Sequence, residues 1–242
     1  MLEKHDHLLT PEFKERFKEK VCVFHHKYLW GACKEVGALL DKRGEIKSGL
    51  LDAIVNIYNK KRNQHQAKFF LLQCFENALR STMATILANT FNTNKDDWFW
   101  QTPKDGVQRC LQARIRQILH RQRKNIREFP TSTFDVFDFL YLSDLQQILE
   151  DYYVYFEPIF SAEKRHFAEL LPVYGTKRKV IDTIDRIRRA RNDIFHNKPT
   201  NIKFQRDLEI LLLRLDFNLK ETGCGSLECF LNLRFGCGEM VF

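Results

Sequence analysis

The stretch "RRARNDIFHN", Arg188 to Asn197, sets an arginine, an asparagine, an aspartate and a histidine side by side late in the chain. Arginine keeps its charge at any physiological pH and suits anionic oxygens. Histidine exchanges a proton near neutrality. Together these types suit the handling of a phosphate-like anion. The same mixture also occurs on a solvated helix with no chemistry, so the elements that carry it must be read next.

On a wheel of about 100° per residue, Val180, Ile184, Ile187 and Ile194 fall in one narrow sector. Arg191 falls in the middle of it. If that stripe packs inward, the guanidinium needs a partner, because an unpaired buried charge is very costly. An earlier segment has the complementary arrangement. Phe69, Leu72, Leu79, Met83 and Leu87 form its stripe, Glu76 lies inside it and Arg80 follows one turn on. The expectation is that the two helices pack together and that Glu76 orients Arg191. The alternative is that both long side chains reach past the helix edge to water. His196 lies off the Arg191 sector, one turn from Asn192 and two from Arg188. These three make a polar ladder, which would also suit a plain exposed helix end, where a cation is favoured.

Other segments supply the frame. Thr10 and Pro11 form a helix start, with Glu12 in the first turn. "GLLDAIVNIYNKKRNQHQ" reads as a helix entry that ends in a polar run, and "QAKFFLLQCFENALRSTMATILANTF" as a strong helix closing at the loop "NTNKDD". "DWFW" supplies aromatic anchors. "VQRCLQARIRQILHRQRKNIREF" reads as a long basic helix ended by Pro130. "TSTFDVFDF" offers a capping Ser or Thr. Pro199 would stop the helix of Arg191, and "KFQRDLEILLLRLDFNLKE" is the last helix. No internal repeat is visible.

Composition agrees with a helical globular chain. Its 242 residues suffice for a real core. They are 44% hydrophobic and 29% charged, with 21 Phe and only ten Gly and six Pro. The net charge of +8 and pI near 9.1 permit a polyanionic partner. Seven cysteines, an odd number with no C-x-x-C pair, suit a reducing cytosol. Neither a signal-peptide core nor an apolar run of membrane length is visible, so the expected location is cytoplasmic. The expected organisation is a single all-α domain over 1–222, followed by a Gly- and Cys-containing tail, 223–242, whose Cys224, Cys229 and Cys237 lack a zinc spacing.

At this point a resemblance enters. "RNDIFH", an arginine, four residues and a histidine, resembles the R-x4-6-H motif of the HEPN superfamily of helical ribonucleases. "FENALRSTM" resembles the E-x-x-L-R helix of Abi-like (abortive-infection) members, here followed by "DWFW". "RDLEILLLRL" is similar to their closing helix. Asn197 stands where Abi-like members often carry a second histidine. The likeness spans about residues 60–220 and leaves the first 60 and the tail unassigned.

The resemblance implies a HEPN-like helical bundle with additional N-terminal helices. It also implies metal-independent RNA cleavage to 2′,3′-cyclic phosphate and 5′-hydroxyl ends, with no cofactor, in a toxin or antiviral effector. Carried over, Arg191 stabilises charge on the phosphate, His196 moves the proton and Asn192 positions, with Glu76 and Arg80 in support. Arg116, His120, Arg123 and Arg127, close to one helical face, and Arg188 would contact RNA. Such sites are usually composite, and this chain has one motif, which favours a homodimer. An antitoxin or regulatory protein is a further expected partner. The competing readings are a non-catalytic helical module that binds RNA or protein, and a purely structural oligomerisation domain.

Overall fold

The computed structural model describes residues 3–46, 48–92, 96–123 and 130–217. Arg127 and the tail 223–242 lie outside the described residues. The fold is all-α, with a single two-stranded hairpin among the described residues. The chain divides into two compact units. Among the described residues, one comprises 3–70 and Asp193–Thr200; the other takes Leu71–Asn192 and 201–217.

In the first unit, α1 (Pro11–Val23) starts where Thr10 Oγ1 accepts the Phe13 N–H, with Pro11 in the first turn. α2 (His26–Arg43) ends at Gly44, whose φ of 76° is the left-handed conformation that glycine adopts without Cβ strain. Leu29, Ala32, Val36 and Leu40 recur at helical spacing on α2 and pack on Ile54 and Tyr58 of α3 (Leu50–Phe91). Phe24 stacks on Tyr58 at 4.1 Å, and the Tyr58 hydroxyl accepts the His25 N–H.

The expected break in the polar run "NKKRNQHQ" is absent: α3 runs unbroken for 42 residues. No Gly or Pro interrupts it, and Lys, Arg and Gln are good helix formers, so polarity alone does not end it.

The second unit holds α3 from Leu71, then α4 (Gly106–Gln122), α5 (Thr133–Asp138), α6 (Leu142–Asp151) and α7 (Tyr153–Ser161). The hairpin follows, pairing Arg165 with Leu170 and His166 with Glu169, and then α8 (Lys177–Phe195) and α9 (Gln205–Arg214). The basic helix is described as far as its C-cap at Arg123, and residues 124–129 of the expected helix lie outside the described residues. Ser132 and Asp135 close a reciprocal capping box on α5. The core is aromatic-rich, with Phe75, Trp98, Phe99, Phe137, Phe156 and Phe160 fully buried. Trp98 Nε1 donates to Thr133 Oγ1 at 2.8 Å, which satisfies the one polar atom of a fully buried indole. Val180, Ile184 and Ile187 of α8 are buried as the wheel requires.

Candidate functional site

The pairing expected from the two charged stripes is present. Glu76 is 8% exposed on α3, and its Oε2 lies 3.3 Å from Arg191 Nη2 on α8. Its other oxygen, Oε1, accepts from Arg80 Nη2 at 3.1 Å. One buried carboxylate therefore serves two guanidiniums. Arg80 is fixed further by the Leu140 carbonyl at 3.1 Å and by Asn77 Oδ1 at 2.8 Å. Arg191 keeps 26% of its side chain in solvent and donates to Asn192 Oδ1 at 3.4 Å. Asn192 is exposed. The Glu76 carboxylate lies between the two guanidiniums. Such a cluster can hold a cationic fork at the edge of the core, ready for an anionic oxygen.

His196 is exposed and follows directly on α8. The helix ends before Pro199 because Asn197 takes a left-handed φ of 52°. The Asn197 N–H reaches the Ile194 carbonyl at 3.0 Å, and the Lys198 N–H reaches the Asp193 carbonyl at 2.8 Å. This is the paired closure that satisfies the last helical carbonyls, and asparagine tolerates the backbone it needs. His196 is the helix-capping residue of that turn.

A second histidine supports this turn, and the local sequence gives no sign of it. His65, from the polar run of α3, is half-buried and hydrogen-bonded to the Ile194 backbone and the Asn197 side chain. The Tyr28 hydroxyl lies 2.6 Å from His65 Nδ1. Burial and a neighbouring tyrosine push the Tyr28 phenol up to about 12, so it stays protonated and can donate to an unprotonated Nδ1. Burial lowers the His65 pKa in the same sense, assisted by the Lys68 charge and opposed by the bonds to Ile194 and Asn197. Phe69 stacks on Phe195 at 4.2 Å and secures the end of the helix from another side.

The proposed RNA contacts divide. Arg116, His120 and Arg123 are exposed on α4, and Arg116 donates to Gln112 Oε1 at 3.1 Å. Arg188 is half-buried, with Nε on Gln146 Oε1 at 2.9 Å and Nη2 on Asp185 Oδ1 at 2.6 Å. Arg121, a neighbour of that face, makes two bonds to Asp144, at 2.7 and 2.8 Å, at the start of α6. Part of the basic run therefore holds the fold together. Among the described residues no group of three or more His, Cys, Asp or Glu is placed to hold a metal ion, and Cys22, Cys33, Cys74 and Cys110 form no disulfide with one another.

Compared with known protein families, characterised proteins and solved structures, the chain matches none of them.

Proposed function

We propose that the chain is an endoribonuclease that works without metal and cuts RNA to 2′,3′-cyclic phosphate and 5′-hydroxyl ends. The RNA 2′-oxygen attacks the adjacent phosphorus as its proton leaves. The bond to the 5′-oxygen breaks, and that oxygen takes up a proton. His196 serves one of these proton transfers. Arg191 stabilises the charge that builds on the phosphate oxygens, and Asn192 positions them. Glu76, assisted by Arg80, holds the Arg191 fork in place. The observation that carries this reading is an exposed His196 on a turn fixed by two backbone hydrogen bonds. A histidine with access to solvent and a fixed backbone suits proton transfer better than packing. A toxin or antiviral role in the cytoplasm, under control of an antitoxin or regulatory partner, extends the same reading.

The test is cleavage of total RNA with mapping of the ends. His196→Ala is expected to lose on the order of 10²-fold or more in rate, with RNA affinity little changed. Cutting should persist in EDTA and stop when the 2′-hydroxyl at the cut site is replaced by hydrogen. A His196→Ala variant that cuts at the parental rate would falsify the mechanism. Because the chain has a single motif, a homodimer with a composite site is part of the proposal. Light scattering should give about twice the chain mass, and a strict monomer that cleaves RNA rules the composite site out.

The second reading, a non-catalytic module that binds RNA or protein, draws on the exposed Arg116, His120 and Arg123, which can hold a polyanion without any reaction. RNA binding without any cleavage would favour it.

A further inference from the structure

A surface cavity of about 390 Å³ opens at the start of α8, away from the Glu76 cluster in sequence and lined wholly by residues of the second unit. Thr176 caps the helix there: its carbonyl accepts the Val180 N–H and its hydroxyl the Lys179 N–H, both at 3.3 Å. The first-turn N–H groups and the helix dipole favour an anion, but every helix start has these. Two further observations distinguish this one.

Tyr174 lines the cavity, is 5% exposed, and its hydroxyl has no hydrogen-bond partner among the described residues. Arg186 lines the same cavity, and its buried Nε has no partner among them either. A buried donor left without an acceptor is uncommon and calls for a reason. Burial raises the Tyr174 pKa far above the ordinary phenol value, reinforced by Asp207 and opposed by Arg214 and Arg186. The hydroxyl is therefore a donor at neutral pH.

The other groups point the same way. The carboxylates of the lining already have cations: Asp207 pairs with Arg186 Nη2 at 2.9 Å, and Asp182 pairs with Arg178 at 3.7 Å. Thr183 Oγ1 accepts from Arg186 Nη2 at 3.4 Å. Lys179 adds a further charge, with Nζ 5.8 Å from the centre of the Tyr174 ring. The lining cations, Arg178, Lys179 and Arg186, outnumber its carboxylates, Asp182 and Asp207, so the cavity favours an added anion. Its volume is in the range of about 300–1,000 Å³ usual for small-molecule sites and far exceeds a lone phosphate ion.

We propose that this cavity binds a phosphorylated small molecule of about mononucleotide size, with its phosphate oxygens accepting from the Tyr174 hydroxyl and Arg186 Nε beside Lys179. The site does not depend on RNA cleavage.

The full chain is titrated calorimetrically with 5′-AMP, inorganic phosphate and adenosine, and its melting is followed with and without each. 5′-AMP is expected to bind and raise the melting temperature, and adenosine is expected to do neither. Binding of inorganic phosphate as tight as that of 5′-AMP would place the recognition in the free ion and overturn the size assignment. Tyr174→Phe removes only the hydroxyl. It is expected to weaken 5′-AMP about tenfold or more, as loss of a bond to a charged group does. Without ligand it should melt at the parental temperature or higher, because an unpartnered buried donor is lost. Lys179→Ala, on an exposed side chain that the fold does not need, should also weaken 5′-AMP. The proposal is overturned if 5′-AMP fails to bind at millimolar concentration, if adenosine binds equally well, or if only RNA is held at this cavity. It is also overturned if either variant binds 5′-AMP as the parent does, or if Tyr174→Phe melts lower without ligand, which would mean the hydroxyl already has a partner.

Discussion

Two arginines of the second unit meet burial in opposite ways. Arg214, at the end of α9, is 2% exposed, and among the described residues no carboxylate appears in its bonds. It donates instead to the carbonyls of Pro172, Ile159, Ala162 and Leu171 at 2.8–3.5 Å. These lie in α7 and in the connection that carries the hairpin to α8. Burial pulls the Arg214 pKa below its ordinary value, with the neighbouring Tyr174 opposing the shift. Arg191 keeps 26% of its side chain in solvent and leans on one carboxylate that Arg80 shares. The contrast separates two uses of one side chain. A guanidinium surrounded by carbonyls is a fastener for irregular backbone, whose carbonyls need donors from outside a regular helix or sheet. A guanidinium held by a carboxylate at one edge and partly in solvent at the other suits the anion-stabilising role proposed for Arg191.

The largest effect is expected from Arg214→Ala. Stranding several buried carbonyls should cost about 3–5 kcal/mol in chemical unfolding and loosen the hairpin connection. Hydrogen exchange over residues 159–172 would show this directly. Parental stability in this variant would end the distinction drawn above.

Glu76→Ala should cost somewhat less, about 3 kcal/mol, because it leaves two cations beside the core without their carboxylate. Adding Arg191→Ala to that variant should recover about 1 kcal/mol, the sign of a coupled pair. Arg191→Ala alone should change stability by about 1 kcal/mol or less, since Glu76 keeps Arg80, while RNA cleavage is lost. An Arg191→Ala variant as unstable as Arg214→Ala would place both arginines in the structural class.

The smallest effect is the dependence on pH, which concerns the turn that follows Arg191. The titrating partner is His65, whose folded pKa lies below its ordinary 6.5. Above about pH 6.5 both states are neutral there and stability is flat. As pH falls below that value the unfolded chain binds the proton first, so stability declines towards the folded pKa. His25, also lowered, chiefly by burial, acts in the same sense. Melting should therefore be lower at about pH 5 than at about pH 7, and His65→Gln should flatten that slope. A slope identical to the parent's would remove His65 from the support of the His196 turn.

Several features could be read from residues close in the chain. The Thr10–Pro11 start and the Ser or Thr cap before α5 are local hydrogen-bonding patterns, and the structure keeps them. The complementary charges in two apolar stripes identified the Glu76–Arg191 pair, because helical periodicity fixes which residues share a face and burial demands a counter-charge. What tertiary structure alone decided are choices among distant partners. Glu76 divides its two oxygens between Arg191 and Arg80. Arg188, read as an RNA contact, is tied to Gln146 and Asp185. His65, in a polar run, supports the turn of His196, and Arg214, inside what reads as the last helix, secures backbone 42 to 55 residues earlier. Periodicity tells which face a side chain occupies, but a long polar side chain has several acceptors within reach. Which one it takes is set by how the backbone of other elements arrives, and no local pattern encodes that.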